Sequence, residues 1–308
     1  MSDPLSELRV ASAEVARRAA HVAIEERMLA EIAATLPAPA AIPGTDPGAH
    51  LVSGEPEHLA AFWLTLDAIN FGSGWFPTLR KRPGHSGYLT VAAGVRERFT
   101  QKGPWSAAEL SHFEAREIAA VLGQDPGHEL MELFAGALRD LGAHVAGDFQ
   151  GRFLTVVERA GDSAVRLVAE LARWRCFDDV SYYREVRVPF LKRAQITASD
   201  LTLAGVAGFK DLARLTMFAD NLVPHVLRLD GGLSFDPALV RRIEHGALLE
   251  HGSPEEVEIR ACAVHAVELI ARLRPELTAA EIDRVLWQRG QEPRYKARPR
   301  HRSRSTAY

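Results

Sequence analysis

The stretch that decides the fold is SPEEVEIRACAVHAVELIARL, residues 253–273. Ser253 has a side-chain oxygen that can cap a helix N-terminus. Pro254 follows at the first helical position, where the N–H that proline lacks would have no partner in the helix. Two glutamates and a run of apolar, helix-prone residues come next and continue to Leu273. This segment therefore predicts a long helix.

Helix-start signals of the same kind recur along the chain, either as a capping box or as an N-cap residue followed by proline. They are Ser106 with Glu109 for a helix toward Leu122, Asp236 with Pro237 before residues 238–249, and Thr278 with Glu281 for a helix toward Trp287. Residues 127–142, 162–175 and 190–200 are also predicted helices. Strand candidates are short, at 186–188 and 227–234. We therefore expect an all-α or mainly α fold.

The N-terminal part has three features. Apolar residues at helical spacing predict one amphipathic helix over 10–36. Residues 37–48 contain four prolines and two glycines and are predicted to form a loop. The helix predicted for 55–69 runs into Asn70-Phe71-Gly72-Ser73-Gly74-Trp75-Phe76-Pro77, an irregular loop whose aromatic rings are exposed or face a ligand.

We expect one domain over 1–308, divisible into helical sub-lobes of about 1–150 and 151–308.

Composition excludes several classes of protein. The chain has 308 residues, 47% of them apolar, which is enough for a sizeable core. With 37 basic and 40 acidic residues the net charge is −3, so the chain lacks the basic footprint expected of a protein that binds DNA or intact tRNA. Cys176 and Cys262 belong to no metal-binding motif, and we expect neither a disulfide nor a metal. No membrane-length apolar run or signal pattern occurs, so a cytoplasmic protein is expected.

The unusual stretch is 190–224. A helix with Lys192, Arg193 and Asp200 is followed by a glycine-containing turn, and Leu215-Thr216-Met217-Phe218-Ala219-Asp220 then predicts an apolar helix that ends in a carboxylate. This arrangement is similar to the helix-hairpin-helix of base-excision DNA glycosylases. A fixed anion in a dry site stabilises the cation that develops on the sugar as the base departs. The residues alone leave open that Asp220 only caps a neighbouring helix.

Five blocks, in the same order along the chain, resemble the queuosine salvage protein family. They are Leu66-Asp67-Ala68-Ile69-Asn70-Phe71; Cys176–Asp179 with Val188–Ile196; Leu215–Asp220 with Val223-Pro224; Glu256–Ala261; and the basic ending Pro299–Tyr308. The resemblance covers nearly the whole chain. Three departures from the family pattern bear on the fine contacts with the substrate: Leu191 replaces a tyrosine, Asn221-Leu222 replaces Tyr-Arg, and a Gly-Ser-Gly-Trp sequence follows Phe71.

The resemblance implies hydrolysis of the N-glycosidic bond of queuosine 5′-phosphate, with release of the 7-deazaguanine base queuine and of ribose 5-phosphate, and it implies no cofactor. It assigns Asp220 as the catalytic carboxylate and Lys192 as its basic partner. Asp200 matches the acid after the Lys192 block, and we expect it to hold the cationic side chain of the base.

The remaining contacts are assigned by residue type and block. Asn70, Phe71 and Trp75 are expected at the base, since aromatic rings stack on bases, although Trp75 can equally fill the core. Arg193, Arg300 and Arg302 are candidates for the 5′-phosphate. For Arg260 we favour a buried ion pair with Glu256 or Glu258. The family match of the basic tail predicts that it folds back onto the body, whereas charged termini are often disordered.

Two other functions remain open at this stage. A glycosylase-like body can serve as an inactive binding module for a modified nucleoside or tRNA. The resemblance to helix-hairpin-helix enzymes alone suggests a base-excision enzyme acting on DNA or RNA. The low net charge argues against both nucleic-acid readings, and the presence of Lys192 with Asp220 argues against an inactive module.

Overall fold

The computed structural model describes residues 3–42 and 44–308. Within them the fold is mainly helical, as predicted, with two short antiparallel strand pairs. The helices are α1 (Pro4–Arg18), α2 (Glu26–Ala34), α3 (Pro56–Ala68), α4 (Gly87–Lys102), α5 (Ala107–Ser111), α6 (Ala115–Leu122), α7 (Glu129–Asp148), α8 (Phe153–Ala160), α9 (Ala164–Leu171), α10 (Lys192–Leu203), α11 (Val223–Leu229), α12 (Pro237–Glu244), α13 (Pro254–Leu273), α14 (Ala279–Arg289) and α15 (Pro293–Lys296). The strands are β1 (Val22–Ile24), β2 (Val180–Tyr183), β3 (Val186–Pro189) and β4 (Leu233–Phe235).

The predicted caps are confirmed. The side chain of Ser253 accepts the N–H of Glu256 at the start of α13, and Asp236 caps α12 in the same way. Complete capping boxes open α5 at Ser106 and α14 at Thr278. Local side-chain chemistry therefore sets where these four helices begin.

Several predicted helices are shorter than expected. Those predicted for 162–175 and 238–249 end early, at Leu171 and Glu244. The helix that starts after Ser106 ends at Ser111, because a second capping box at Glu114 begins α6. The single helix predicted over 10–36 is wrong: α1 ends at Arg18 and β1 intervenes before α2. A buried carboxylate explains this break, since Glu258 Oε2 accepts the backbone N–H groups of the three residues 20–22 at 3.1, 2.6 and 3.1 Å.

One strand pair joins distant parts of the chain, and the other is a hairpin. β1 pairs with β4, with Val22 opposite Phe235, so the second predicted strand region is a strand only at its end. β2 and β3 form a hairpin with Val180 opposite Pro189, which confirms the strand predicted at 186–188. This hairpin leads directly into α10.

The buried apolar residues form two clusters. One lies mainly between residues 49 and 218 and includes α3, α7, α8 and α9. The other combines α1 and α2 with α11, α13 and α14, so the two ends of the chain share one core. The division into one domain with sub-lobes at about 1–150 and 151–308 stays a prediction. Within the described residues, no helix has both the length and the apolar character needed to cross a membrane.

A buried ion cluster fastens α13 to the rest of the molecule. The Arg260 side chain is fully buried, with Nη2 2.7 Å from Asp179 Oδ2 and Nη1 3.5 Å from Glu256 Oε1. Its guanidinium also stacks 3.9 Å above the centroid of the Phe190 ring and 4.4 Å from that of Tyr308. The expected pairing of Arg260 with Glu256 is therefore confirmed, and Asp179 is a second partner.

The C-terminal tail folds back onto the body, as predicted from its family match. The N–H of Leu249 donates to the carbonyl of Arg302 at 2.9 Å, and the N–H of Gly72 donates to the carbonyl of Tyr308 at 3.2 Å. Asn221 Nδ2 donates to the carbonyl of His301 at 2.9 Å. The tail therefore lies against the loops at 70–77 and 215–222.

The ion cluster gives a stability prediction. Arg260→Met removes the charge but keeps much of the side-chain volume, which leaves the carboxylates of Asp179 and Glu256 buried without their cation. We expect the free energy of unfolding to fall by about 3–5 kcal/mol, measured by urea denaturation. The matched control is Arg116→Met, which breaks the exposed pair with Glu114 and should change stability little. Equal urea midpoints for the two variants would contradict a stabilising role for the cluster.

Candidate active site

An open cavity of about 1030 Å³ lies between the end of α3, the start of α4, α10, α14, the segment 218–222 and the tail. Asn70, Lys192, Asp200 and Asp220 all line it. A smaller cavity of about 220 Å³, next to His21 and Tyr182, contains none of the predicted site residues. The large cavity is therefore the candidate active site.

Asp220 is held in this cavity by backbone hydrogen bonds. Its Oδ1 accepts the N–H of Leu222 at 2.8 Å and that of Val223 at 3.0 Å. The carboxylate thus sits at the start of α11, the end of a helix that stabilises a negative charge. The capping geometry that the sequence left open is present, and the same side chain also lines the cavity.

The helix predicted for residues 215–220 is wrong, because this segment is extended. Buried side chains satisfy its backbone: Thr216 N–H donates to Gln195 Oε1 at 2.9 Å, and Phe218 N–H donates to Asp283 Oδ1 at 3.0 Å. These partners replace the hydrogen bonds of a helix. The second helix of the predicted helix-turn-helix is therefore missing, and the likeness to helix-hairpin-helix glycosylases is not confirmed.

Lys192 is the first residue of α10 and is 5% exposed. Its ammonium donates to Asn70, at 2.8 Å to the carbonyl oxygen and 3.1 Å to Oδ1, rather than to Asp220. Burial lowers the pKa of Lys192 to about 8, while the charge of Asp220 acts in the opposite direction. The cation and the carboxylate therefore influence each other across the cavity without forming a hydrogen-bonded pair.

The start of α10 is fixed by the residue before it. Leu191 has a left-handed backbone with φ of 50°, which costs a non-glycine residue free energy. Its N–H donates to the carbonyl of Asp179 at 3.2 Å, and the N–H of Lys192 donates to Asp179 Oδ2 at 3.0 Å. Both bonds to Asp179 hold this turn in place, and they direct Lys192 toward the cavity.

Two carboxylates form an acidic end of the site. Asp200 is a lining residue of α10, and Asp67 lies on α3, which packs against α10. Asp67 is fully buried, and neither of its oxygens has a hydrogen-bond partner among the described residues. Burial raises the pKa of Asp200 to about 7. Burial and then the charge of Asp200 raise the pKa of Asp67 well above its usual value. Such a pair retains a proton near neutral pH.

Asp283 is a further carboxylate that the sequence analysis missed. It lies on the inner side of α14, lines the cavity and is 5% exposed. Burial, and after it the charge of Asp220, raises the pKa of Asp283 well above its usual value. The available signal was its place beside Ile282 on the buried face of an amphipathic helix, where an unpaired Asp is unusual.

Two half-buried arginines of the tail, Arg300 and Arg302, line the cavity. Burial lowers the pKa of Arg300, and the charge of Asp220 opposes this shift. No ion pair within 4.0 Å involves either arginine in the described part of the chain. These cations are therefore available to an anionic group of a ligand.

Two predicted site residues lie outside the cavity lining. Arg193 is 1% exposed and points into the core, where it donates to the carbonyl of Ala68 at 2.5 Å and stacks 5.1 Å from the centroid of the Phe71 ring. Trp75 is buried, and its indole N–H donates to Glu129 Oε2 at 2.7 Å. Arg193 therefore supports the loop at 70–77 through Phe71, and Trp75 ties the same loop to Glu129.

The aromatic lining comes mostly from residues that the sequence analysis did not select. Phe71 lines the cavity as expected, packed edge-to-face on Phe134 at 5.1 Å. Tyr88 and Trp287 also line it, with their ring centroids 6.1 Å apart, and the Tyr88 hydroxyl is 2.9 Å from His50 Nε2. These two rings come from α4 and α14, which are about 200 positions apart in sequence, so short-range patterns do not reveal their meeting.

Comparison with known proteins agrees with this geometry. The sequence model of the queuosine salvage protein family matches residues 50–308. A protein of Sphaerobacter thermophilus named queuosine 5′-phosphate N-glycosylase/hydrolase is 35% identical over 324 aligned residues, covering 100% of both chains. Proteins with the same name from Bos taurus and Mus musculus are 32% and 30% identical, covering 66% and 73% of this chain and 64% and 72% of their own length. The chain therefore belongs to the queuosine salvage protein family.

Proposed function

We propose that this protein hydrolyses the N-glycosidic bond of queuosine 5′-phosphate to release queuine and ribose 5-phosphate. The observation that carries the proposal is the Asp220 carboxylate, fixed by two backbone N–H groups inside a large cavity that it shares with Lys192. The names of the full-length and partial relatives support the same reaction.

The chemistry at the sugar follows from the position of Asp220. As the bond between C1′ and the base breaks, positive charge develops on the ribose ring. The backbone N–H groups bind Oδ1, so Oδ2 is the oxygen that can face C1′. There it stabilises the cation electrostatically or attacks C1′, and water completes the hydrolysis. Because the charge is preorganised in a partly dry site, it is worth several kcal/mol in the transition state.

Lys192 supports this chemistry as a cation near Asp220. Asn70 accepts two hydrogen bonds from its ammonium group. These bonds keep the ammonium from forming a direct ion pair with the Asp220 carboxylate. The charge of Asp220 in turn favours the charged form of this ammonium. The ammonium also provides a donor for the hydroxyl groups of a bound ribose.

The two ends of the cavity suit the two ends of the substrate. Asp200, with Asp67 behind it, can accept hydrogen bonds from the cationic side chain of the base, while Tyr88 and Trp287 offer rings for its flat face. Arg300 and Arg302 can hold the 5′-phosphate. This arrangement fits a free nucleotide, and the net charge of −3 argues against DNA and intact tRNA as substrates.

The second candidate function is an inactive module that binds a modified nucleoside or tRNA. The cavity itself would serve such a module equally well. Binding alone requires neither a carboxylate near C1′ nor a buried lysine. Burying a lysine is unfavourable because burial opposes the charged form of its side chain. We therefore favour the enzyme.

Asp220→Asn tests the proposed function. The amide oxygen can still accept the two N–H groups, so the variant should fold, but the loss of the negative charge should lower kcat at least about 10³-fold. Queuine released from queuosine 5′-phosphate is measured by chromatography. Asp236→Asn is the matched control, since Asp236 also accepts two N–H groups at a helix start, from Ala238 and Leu239, and it does not line the cavity. Wild-type protein that binds the nucleotide without releasing the base would favour the binding module.

The buried lysine predicts the pH dependence of the reaction. If the charged ammonium is the active form, kcat/KM should be highest below the Lys192 pKa of about 8 and should fall as the pH rises through it. Lys192→Arg keeps the charge and should move this decline to higher pH, whereas Lys192→Met should lower kcat/KM at every pH. Lys210→Arg, at an exposed lysine paired with Asp162, is the control and should leave the profile unchanged. A wild-type profile that stays flat to pH values well above 8 would contradict this role.

A further inference from the structure

We propose that Asp283 is a second catalytic residue, which gives a proton to the departing base. The inference rests on the proposed function and deepens it. Cleavage of the bond leaves a positive charge on the sugar and a negative charge on the base. A carboxylate that stabilises the sugar cation does not stabilise the negative charge on the base.

Asp283 and Asp220 are anchored on the same short stretch of backbone. Asp283 Oδ1 accepts the N–H of Phe218 at 3.0 Å, and Asp220 Oδ1 accepts the N–H groups of residues 222 and 223. Both side chains line the cavity of the candidate active site. The phenylalanine is two positions before Asp220, so the acid and the anion are held at the same part of the site, where the sugar meets the base.

The surroundings of the two carboxylates differ in a way that divides their roles. Asp220 accepts two backbone N–H groups, whereas Asp283 accepts one and is almost fully buried. The charged groups that face Asp283 are Asp220 from the extended segment, Lys192 from α10 and Arg284 from its own helix. Burial and the charge of Asp220 raise the pKa of Asp283, and they outweigh the two cations. A buried carboxyl group that retains its proton next to a fixed carboxylate is the arrangement that glycoside hydrolysis uses for an acid and an anion.

The leaving group needs this proton in order to depart as a neutral base. When the C1′–N bond breaks, its electron pair goes to the base. Purines commonly accept a proton on the nitrogen at position 7, but a 7-deazaguanine has carbon there. The proton of Asp283 therefore passes to a remaining ring nitrogen, and the base leaves neutral. Water adds to C1′ and loses a proton, which returns Asp283 to its acid form, so that atoms and charge balance over the cycle.

Asp200 is a weaker candidate for this acid, although burial raises its pKa to about 7 as well. The charges that act on Asp200 are those of Arg284 and Lys192, and Asp220 is not among them. Asp200 acts instead on Asp67, its neighbour on α3. We assign Asp200 to positioning the base.

The test is Asp283→Asn. Its amide oxygen can still accept the N–H of Phe218, but it has no acidic proton. We expect kcat to fall about 10²- to 10⁴-fold with little change in the dissociation constant for queuosine 5′-phosphate, measured by calorimetry. The pH profile separates catalysis from structure. In the wild type, both Lys192 and Asp283 must be protonated, so log kcat/KM should reach a limiting slope of about −2 at pH values above the pKa of both groups. In Asp283→Asn the slope should be about −1.

Asp200→Asn is the matched control, because Asp200 is another aspartate that lines the same cavity. It should raise KM and keep the steep alkaline slope. A wild-type slope of about −1, or an Asp283→Asn variant with wild-type kcat, would overturn the assignment. The wild-type slope alone decides the matter should Asp283→Asn not fold. Failure of the wild type to release any queuine is a different result, which would remove the proposed function itself.

Discussion

The buried ion pair between Arg260 and Asp179 is the interaction on which the site depends. Arg260 Nη2 lies 2.7 Å from Asp179 Oδ2, and its Nε donates to the carbonyl of Ala219 at 2.9 Å, one residue before Asp220. The same Asp179 oxygen accepts the N–H of Lys192 at 3.0 Å. One fully buried pair therefore fixes the backbone next to both residues that we place at the sugar. If the two side chains separated, each charge would be buried without a partner. This cost in free energy keeps the arrangement rigid.

Four aspartates illustrate how one residue type acquires different roles: three that line the cavity, and Asp67 next to it. Asp220 is held by backbone N–H groups at the start of a helix, where a negative charge is stable. Asp283 and Asp67 are buried with few donors, and burial makes them retain protons. Asp200 lies between these limits, with a pKa of about 7. Position relative to donors and cations, rather than residue type, sets what each group can do.

The sequence predicted the features that depend on local chemistry. The caps at Ser253, Asp236 and Thr278 and the mainly helical class need only side chains three or four positions apart. The family blocks named Asp220, Lys192 and Asp200, which all line the cavity. Their assigned roles stay predictions, as do those of Asn70, Phe71, Arg300 and Arg302.

The features that the sequence did not reveal depend on partners far along the chain. Residues 215–220 have helical composition, yet Gln195 and Asp283 take their N–H groups and keep them extended. Glu258 breaks the N-terminal helix from more than 200 positions away. Arg193 belongs to a matching block and Trp75 follows one, but their polar atoms find partners away from the cavity. A match to a family block therefore identifies important residues, but it does not show whether their side chains face the cavity or the core.

The most direct measurement of the central claim is a crystal structure of Asp220→Asn with queuosine 5′-phosphate. If Asp220 acts at the sugar, C1′ should lie in van der Waals contact, about 4 Å, with the side chain at position 220. The base should lie against the rings of Tyr88 and Trp287 near Asp200, and the phosphate on Arg300 and Arg302. A nucleotide bound in the reverse orientation, with its sugar remote from position 220, would contradict this role of Asp220.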